Sequence, residues 1–256
     1  MILQDASNLS FIPRRIVSLV PSQTELLFYL GLDETTIAIT KFCVHPQQWH
    51  FTKKIIGGTK NIHVHEIKAL KPDLIIANKE ENIKEQVEEL ANEFPVWLTD
   101  VDDLQSAYKM IADIGQLTGT MFKAGILIND IRQKFSTISA HQKINTAYLI
   151  WRKPYMTVGG DTFIHEMLYH CGLRNIFGDA KRYPAVTVEQ LKKSACQLLL
   201  LSSEPYPFVQ KHADELQKQL PHIKIILVDG QFFSWYGNRL LYAPDYFNNL
   251  LATISL

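Results

Sequence analysis

The sequence predicts an α/β protein built from two similar halves, and three observations lead to this prediction. Apolar runs of strand length alternate with helix-length segments, which is typical of a mostly parallel sheet. The chain also repeats itself: Glu25–Leu32 (ELLFYLGL) resembles Glu166–Leu173 (EMLYHCGL), and Leu74–Glu80 (LIIANKE) resembles Leu198–Glu204 (LLLLSSE). Its 256 residues are enough for two lobes of about 100–150 residues each.

In the first half, apolar runs predict four buried strands, and polar or charged segments separate them. The helix after the first strand is expected to take Ser22 or Thr24 as its N-cap and to end at Gly31. A charged amphipathic helix is expected over residues 82–91, and the stretch from Lys41 to Asn61 is expected to be irregular. The predicted strands are Ile16–Val20, Thr36–Ile39, Leu74–Ala77 and Val96–Leu98.

The middle of the chain shows helical spacing of apolar residues over 104–139, with no proline and with glycines near its centre. This pattern predicts one long rigid helix joining the halves, or a helix broken near Gly119. The resulting domain boundaries are 1–103 for an N-terminal α/β lobe, 104–139 for a linker helix and 140–256 for a C-terminal α/β lobe.

The second half repeats the alternation of strands and helices. The expected strands are Thr146–Trp151, Leu198–Leu201 and Ile223–Val228, and the expected helices are Phe163–Cys171, Val209–Gln219 and Ala243–Leu256. Two similar lobes of this kind predict a ligand cleft at their interface, because concave sites form preferentially where domains meet.

Composition excludes several classes of function. Lys+Arg and Asp+Glu are both 26, so no basic surface for nucleic acid is expected. No apolar run approaches the length of a membrane span, and the N-terminus has neither the basic nor the apolar region of a signal peptide. The three cysteines are widely spaced, which predicts no disulfide framework. Cys171 and Cys196 lie in apolar runs, which predicts buried free thiols at these two positions.

Candidate ligand-binding residues follow the predicted strands, because ligands gather beyond the carboxyl ends of strands in open α/β sheets. Aromatic faces with a few fixed polar groups suit a large, flat, partly apolar ligand. Some of these rings could instead fill the interface between lobes. The candidates are Phe42, Trp49, Glu80, Glu81, Trp151, Arg152, Tyr155, Glu204, Tyr206, Phe208, Trp235, Tyr236 and Arg239.

Signals for catalysis and for a resident metal are weak. The sequence has no GxSxG, Walker A or GxGxxG motif, so no catalytic residue is assigned. Glu80 and Glu204 could serve in acid–base chemistry, but glutamates at strand ends more often form ion pairs. Short pairs such as Cys43-x-His45 do not complete a metal site, so neither a protein-bound metal nor a covalent cofactor is expected.

Three features together resemble a known family: Ile16–Ser22 (IVSLVPS), Ile67–Ala77 (IKALKPDLIIA) and the long helical segment in the middle of the chain. They are similar to the substrate-binding proteins of ABC importers for cobalamin, haem and iron-siderophores, and closest to the cobalamin-binding members. The resemblance covers about residues 14–250. It implies two Rossmann-like lobes joined by one rigid helix, with cobalamin or another metal chelate held between them and no enzymatic activity.

The resemblance also implies a partner and a location. In the family, one acidic residue on each lobe docks onto arginines of the permease dimer, and these positions fall on Glu66 and Glu189 here. Family members act in the periplasm or at the cell surface, but the absence of a signal peptide from this sequence leaves the cytoplasm open. A cytoplasmic enzyme or chelate-handling protein using the same cleft is therefore the alternative hypothesis.

Overall fold

The computed structural model of the protein describes residues 1–3, 5–138 and 143–254, and the chain forms two compact α/β units. The first unit comprises Met1–Val101, Gln105–Ile131 and Trp235–Arg239. The second comprises Asp102–Leu104, Arg132–Ser234 and Leu240–Leu256. These units divide the chain differently from the predicted boundaries 1–103, 104–139 and 140–256.

The first unit is organised around a six-stranded sheet in the order β1-β8-β7-β2-β3-β4, and every neighbouring pair is parallel. Strands β2 and β7 are buried along their whole length, as expected where a parallel sheet is covered on both faces. Strands β5 and β6 form a separate antiparallel hairpin. The strands are β1 Ile2–Leu3, β2 Ile16–Ser18, β3 Thr36–Ile39, β4 Lys54–Ile55, β5 Gly57–Gly58, β6 Asn61–Ile62, β7 Leu74–Asn78 and β8 Val96–Thr99.

Helix α1 (Pro21–Leu30) corrects one prediction and follows another. Val20 is its N-cap and Pro21 occupies the first turn, so Ser22 and Thr24 lie inside the helix and the predicted caps are wrong. Proline is favoured at this position because its missing N–H would have no partner there. The helix ends at Gly31 in the left-handed conformation, φ 89°, as predicted. The other helices of this part of the chain are α2 Gln47–Thr52, α3 Val64–Leu70, α4 Lys84–Ala91, α5 Leu104–Thr118 and α6 Met121–Phe135.

The segment predicted as one long helix over 104–139 is two helices, α5 and α6. The chain turns at Gly119, whose φ is +71°, and the N–H of Thr120 donates to the carbonyl of Gly115 at 2.7 Å. A Cβ on Gly115 would lie 2.6 Å from the Cβ of Ala124, so the two helices are in close contact. The continuous helix is therefore wrong and the break near Gly119 is right; residue 139 lies outside the described residues.

The second unit has a four-stranded parallel sheet in the order β11-β9-β13-β14 and an antiparallel pair, β10-β12. Its strands are β9 Ile144–Leu149, β10 Tyr155–Met156, β11 Leu173–Asn175, β12 Ala185–Val186, β13 Leu198–Ser202 and β14 Lys224–Val228. Its helices are α7 Phe163–His170, α8 Val188–Lys193, α9 Gln210–Gln219, α10 Gln231–Ser234 and α11 Ala243–Thr253.

The two units share one topology, as the internal repeat predicts. In chain order, β2-α1-β3 corresponds to β9-α7-β11, and α3-β7-α4-β8 corresponds to α8-β13-α9-β14. The central strands also have the same spatial order, β8-β7-β2-β3 in one sheet and β14-β13-β9-β11 in the other. Gly31 and Gly172 both have positive φ after corresponding helices. The predicted α/β class with two parallel sheets is confirmed.

Candidate functional site

The second unit gathers aromatic rings at the carboxyl edge of its sheet. Trp151 follows β9 and Tyr206 follows β13, and their ring centroids lie 5.8 Å apart in an edge-to-face arrangement. Tyr206 also packs on Phe208, with 4.8 Å between centroids, and its N–H donates to the carbonyl of Ile150. Trp151 remains 40% exposed. The edge therefore presents an open indole supported by packed rings.

Arg152 lies beside these rings and is held by a carboxylate. Its Nη2 donates to Oε2 of Glu215 on α9 at 2.5 Å. Interactions with the side chains of Tyr206 and Tyr155 raise the pKa of Arg152 above its ordinary value. Both tyrosines are half-buried. The guanidinium is thus cationic, but its charge is already neutralised within the second unit.

Glu204 is fixed by hydroxyl groups at the same edge. Ser234 Oγ donates to Oε1 of Glu204 at 2.7 Å, and Ser202 Oγ donates to the Glu204 carbonyl at 2.6 Å. The Tyr148 hydroxyl in turn donates to Ser202 Oγ at 3.0 Å. Burial raises the pKa of Tyr148 above its ordinary value, so this phenol stays neutral. Ser234 therefore holds the carboxylate of Glu204, while Ser202 and Tyr148 hold its backbone carbonyl, all within the second unit.

In the first unit, Phe42 is the exposed aromatic residue of the loop after β3. Its side chain is 51% exposed, and Lys41 Nζ lies 5.1 Å from its ring centroid. A Cβ on Gly58 would lie 3.0 Å from Cε2 of Phe42, so glycine lets the ring rest against the β5–β6 hairpin. The thiol of Cys43 anchors the loop beneath, 3.1 Å from Thr24 Oγ1.

Two asparagines shape the loop that carries Glu80 and Glu81. Asn78 Oδ1 accepts from the N–H of Glu80 at 2.8 Å and from that of Glu81 at 3.1 Å. Asn82 Nδ2 donates to the carbonyls of Leu19 and Thr59, which ties the loop after β7 to two neighbouring segments. Both glutamates are half-buried.

Residues 235–239, which belong to the first unit, pack around the start of α1. Tyr236 is buried beside Ser22 and Gln23, and burial raises its pKa well above the ordinary value. Arg239 Nη2 and Nε donate to the two carboxylate oxygens of Glu25 at 2.6 and 3.0 Å. The guanidinium carbon also lies 4.9 Å from the ring centroid of Trp235.

The indole of Trp235 connects this 235–239 segment to the loop after β3. Its ring centroid lies 5.6 Å from that of His45 in an edge-to-face contact. Trp235 and Tyr236 are both buried, so they support the first unit's strand-end loops and do not present an open face. The predicted ligand residues Trp235, Tyr236 and Arg239 are thus found at the edge of the first unit's sheet, next to one another.

Burial removes two other candidates from the surface. Trp49 was expected in an irregular loop, but it lies on α2 and is 0% exposed. Its ring packs edge-to-face on Phe28, with 5.4 Å between centroids, beneath the ammonium of Lys53. Phe208 belongs to the core of the second unit. We therefore treat Trp49 and Phe208 as packing residues, because a ligand in solvent cannot reach them without displacing core contacts.

Sequence reasoning missed Glu25, His45 and the linking role of Asn82. The sequence suggests a first-turn glutamate at position 25, which the helix dipole would favour on its own, but α1 begins at Pro21 and Glu25 lies beyond its first turn. Its partner Arg239 lies more than two hundred positions away in sequence, so no local pattern could indicate the pair. Asn82 follows the strand-end glutamates in sequence and is a frequent loop residue, so only its contacts distinguish it.

The two predicted docking acids occupy corresponding helices but have different surroundings. Glu66 lies in the first turn of α3 before β7, and Glu189 lies in the first turn of α8 before β13. Glu66 bonds to Lys54 at 2.6 Å and to His63 at 2.7 Å, and these bonds lower its pKa. Glu189 is 68% exposed and lies 3.8 Å from Lys192. Both acids are on the surface.

Neither a metal cluster nor a membrane-spanning helix is found within residues 1–3, 5–138 and 143–254. Over these ranges, no three His, Cys, Asp or Glu side chains cluster closely enough to hold a metal ion. No helix formed by the same residues is long and apolar enough to cross a membrane.

Comparison with known sequences identifies the class of protein. The chain belongs to the periplasmic binding protein family, whose model matches residues 16–222. Among its relatives is the vitamin B12-binding protein of Pectobacterium atrosepticum, which is 28% identical over 261 residues, covering 96% of this chain and 91% of that protein. Such relatives are binding proteins and not enzymes, so the enzyme hypothesis is not carried further.

Solved structures share the fold. The periplasmic vitamin B12 binding protein of Vibrio cholerae superposes with a TM-score of 0.76 at 21% identity, over 94% of this chain and 97% of that one. A periplasmic haem-binding protein from Pseudomonas aeruginosa superposes with a TM-score of 0.81 at 18% identity, over 93% and 92% of the two chains. At these identities, the likeness concerns the fold.

Proposed function

We propose that the protein is the substrate-binding component of an ABC importer and that its ligand is cobalamin or a related metal chelate. The proposed ligand contacts in the first unit are Phe42, Glu80 and Glu81. Those in the second unit are Trp151, Arg152, Tyr155, Glu204 and Tyr206. Trp235, Tyr236 and Arg239 support the first unit's edge from beneath.

The observation that carries this proposal is the edge of the second unit, where Trp151 and Tyr206 pack edge-to-face with the indole left partly exposed. A corrin or porphyrin ring is flat and largely apolar across its faces, so it gains most from a rigid aromatic partner. The neighbouring polar groups are held by hydrogen bonds before any ligand arrives, which lowers the entropic cost of binding.

The charge state of the site favours a neutral chelate over a dianionic one. Haem carries two propionate groups, whereas the corrin periphery of cobalamin carries neutral amides. Both arginines expected at the site already bind carboxylates, Arg152 with Glu215 and Arg239 with Glu25. A propionate would have to displace an existing ion pair, while an amide needs only the neutral donors and the carboxylate oxygens of Glu80, Glu81 and Glu204.

Delivery to a permease dimer outside the cytoplasmic membrane completes the proposal. The solved structures named above are of periplasmic binding proteins, which supports the location, and the surface acids Glu66 and Glu189 supply candidate contacts on corresponding helices. Fractionation of the native host, followed by immunodetection of the protein, tests the location. Recovery only from the cytoplasm would contradict an importer role.

Titration with cyanocobalamin, haemin and a ferric hydroxamate tests the ligand class. Calorimetry and quenching of tryptophan fluorescence should report tighter binding of cyanocobalamin than of the other two. Trp151→Ala should weaken cyanocobalamin binding by roughly tenfold or more. The ligand would cover this indole, and an aromatic anchor that becomes buried on binding commonly dominates the binding energy.

Tyr169→Ala is the matched control for that variant. Tyr169 is an exposed aromatic of the same unit, but it lies in the last turn of α7, just before β11 begins and therefore at the opposite edge of the sheet. Its removal should leave the affinity unchanged. Equal losses in both variants would contradict the assignment of the carboxyl edge as the binding surface.

A further inference from the structure

We infer that Glu25 is a specificity-determining residue: by holding Arg239, it keeps this cation from anionic groups of a ligand at the edge of the first unit. The inference rests on the proposed function and extends it to a residue that does not itself contact the ligand. Three observations support it. Glu25 and Arg239 form an ion pair, the indole of Trp235 lies against the guanidinium, and the corresponding glutamate of the second unit has a different partner.

The ion pair is bidentate and mostly shielded from solvent. Two guanidinium nitrogens of Arg239 donate to the two oxygens of Glu25 at 2.6 and 3.0 Å. The two side chains are only 13% and 15% exposed, so solvent screens the pair weakly. Such fork-to-fork pairing leaves Arg239 little capacity to bind a second carboxylate.

The position of Arg239 gives the pair its relevance to a ligand. The guanidinium stacks on Trp235, and the same indole contacts His45 in the loop after β3. This loop also carries Phe42, whose ring is exposed. A cation at this place would attract propionate or carboxylate groups of a chelate if it were not neutralised.

The corresponding position of the second unit shows that the pair is not a by-product of the repeated helix. Glu166 occupies in α7 the place that Glu25 occupies in α1, since both precede the repeated glycine–leucine pair by the same number of residues. Its carboxylate instead lies 3.2 Å from His170, one turn along the same helix. At this repeated position, the glutamate of the first unit therefore pairs with a distant arginine, and that of the second unit pairs with a histidine of its own helix.

Glu25→Gln tests the inference because glutamine has the same shape and can still accept one hydrogen bond. Affinities for haemin and cyanocobalamin are measured for the parent, Glu25→Gln, Glu25→Gln/Arg239→Gln and the control Glu166→Gln. In Glu25→Gln, haemin affinity should rise relative to cyanocobalamin affinity by roughly tenfold, the gain expected for one charge-assisted hydrogen bond. The double variant should lose this gain, and Glu166→Gln should not show it.

The ratio of haemin affinity to cyanocobalamin affinity distinguishes a role of Glu25 in selectivity from a purely structural role. A merely structural Glu25 would lower both affinities together, and that result would overturn the inference, as would an unchanged ratio. A gain in haemin binding that depends on Arg239 supports the inference whether or not the parent binds cyanocobalamin. Failure of the parent to bind cyanocobalamin would instead count against the proposed ligand class. Melting temperatures of all variants confirm that each one is folded.

Discussion

At the scale of single residues, Cys43 shows how a loop of the site is anchored from below. Its thiol lies 3.1 Å from Thr24 Oγ1 and 3.2 Å from Thr40 Oγ1, and no part of the residue is exposed. Burial raises the pKa of Cys43 to about 11. The thiol is therefore neutral at physiological pH and unreactive. The sequence predicted buried thiols at Cys171 and Cys196, and Cys43 is buried as they are.

This pKa predicts a pH dependence of stability. The folded value lies above the ordinary value of 9.0, so the unfolded chain loses its thiol proton first as the pH rises. The contribution of Cys43 is constant below pH 9 and is lost between pH 9 and 11. Urea denaturation gives the unfolding free energies of the parent and of Cys43→Ser at pH 9 and at pH 10.5. Between these two pH values, the unfolding free energy of the parent should fall by about 1–2 kcal/mol more than that of the variant. Parallel pH curves for parent and variant would contradict this.

The sequence could indicate where candidate site residues lie in the fold when they follow clear strand ends, and their role as ligand contacts stays a prediction. Phe42, Trp151 and Tyr206 follow strands that the apolar runs identified, so their place at the carboxyl edge could be anticipated. Trp49 could not be distinguished from them, because a short helix after Pro46 buries it and sequence pattern does not reveal burial in such a stretch. Arg239 was predicted as a ligand contact, but its carboxylate partner could be found only in three dimensions.

At the scale of elements, the contact between α5 and α6 depends on the absence of a side chain at one position. A Cβ on Gly115 would lie 2.6 Å from Cβ of Ala124 and 3.3 Å from Cα of Met121. Because Met121 Cα is backbone, the two helices would have to separate to admit even a methyl group. The glycines in this segment therefore have different roles, although the sequence pattern treats them alike.

Gly115→Ala and Gly125→Ala form a matched pair that tests this contact. Gly115→Ala should destabilise the protein by about 1–3 kcal/mol, the usual cost of overpacking. Gly125 lies inside α6, and a Cβ added there would meet nothing within 4 Å, so Gly125→Ala should stabilise the helix by about 0.5–1 kcal/mol. Urea denaturation measures both changes. Equal effects of the two substitutions would show that the helices are not in close contact.

Elements were predictable where burial on both faces produced unbroken apolar runs, as in β7 and β13. They were missed where pairing is short and brought about by distant parts of the chain. β1 is two residues long and pairs with β8 across more than ninety positions, and β11 contains an exposed arginine between buried neighbours. The predicted continuous helix failed for a related reason: helical spacing of apolar residues continues on both sides of Gly119, so the pattern alone cannot locate the turn.

At the scale of the whole molecule, the shared topology places Glu66 and Glu189 in corresponding helices of the two units. Proteins that dock onto a symmetric partner benefit from equivalent contacts on each half. Glu66 is less available than Glu189, because Lys54 and His63 bind its carboxylate. Docking would have to exchange these partners for a permease arginine.

Glu66→Gln combined with Glu189→Gln tests the docking role. The double variant should fold with an unchanged melting temperature and bind cyanocobalamin normally, since Glu189 is exposed, Glu66 is partly exposed and the ion pairs of such surface groups contribute little. Its capture by a detergent-solubilised cognate permease should fall, and capture of the parent should weaken with rising salt. Glu88→Gln, at an exposed glutamate of α4, is the control. Normal capture of the double variant would rule out both acids as contacts.

The membership of Trp235–Arg239 in the first unit has a consequence for how the protein is made. Every strand of the first unit's sheet has left the ribosome once Thr99 has emerged, yet Tyr236 and Arg239 follow much later. Until then, the start of α1 lacks the ring that packs beside Ser22 and the cation that pairs with Glu25. Although domains generally fold from the N-terminus during synthesis, the nascent first unit cannot complete its packing before residue 239 has been synthesised.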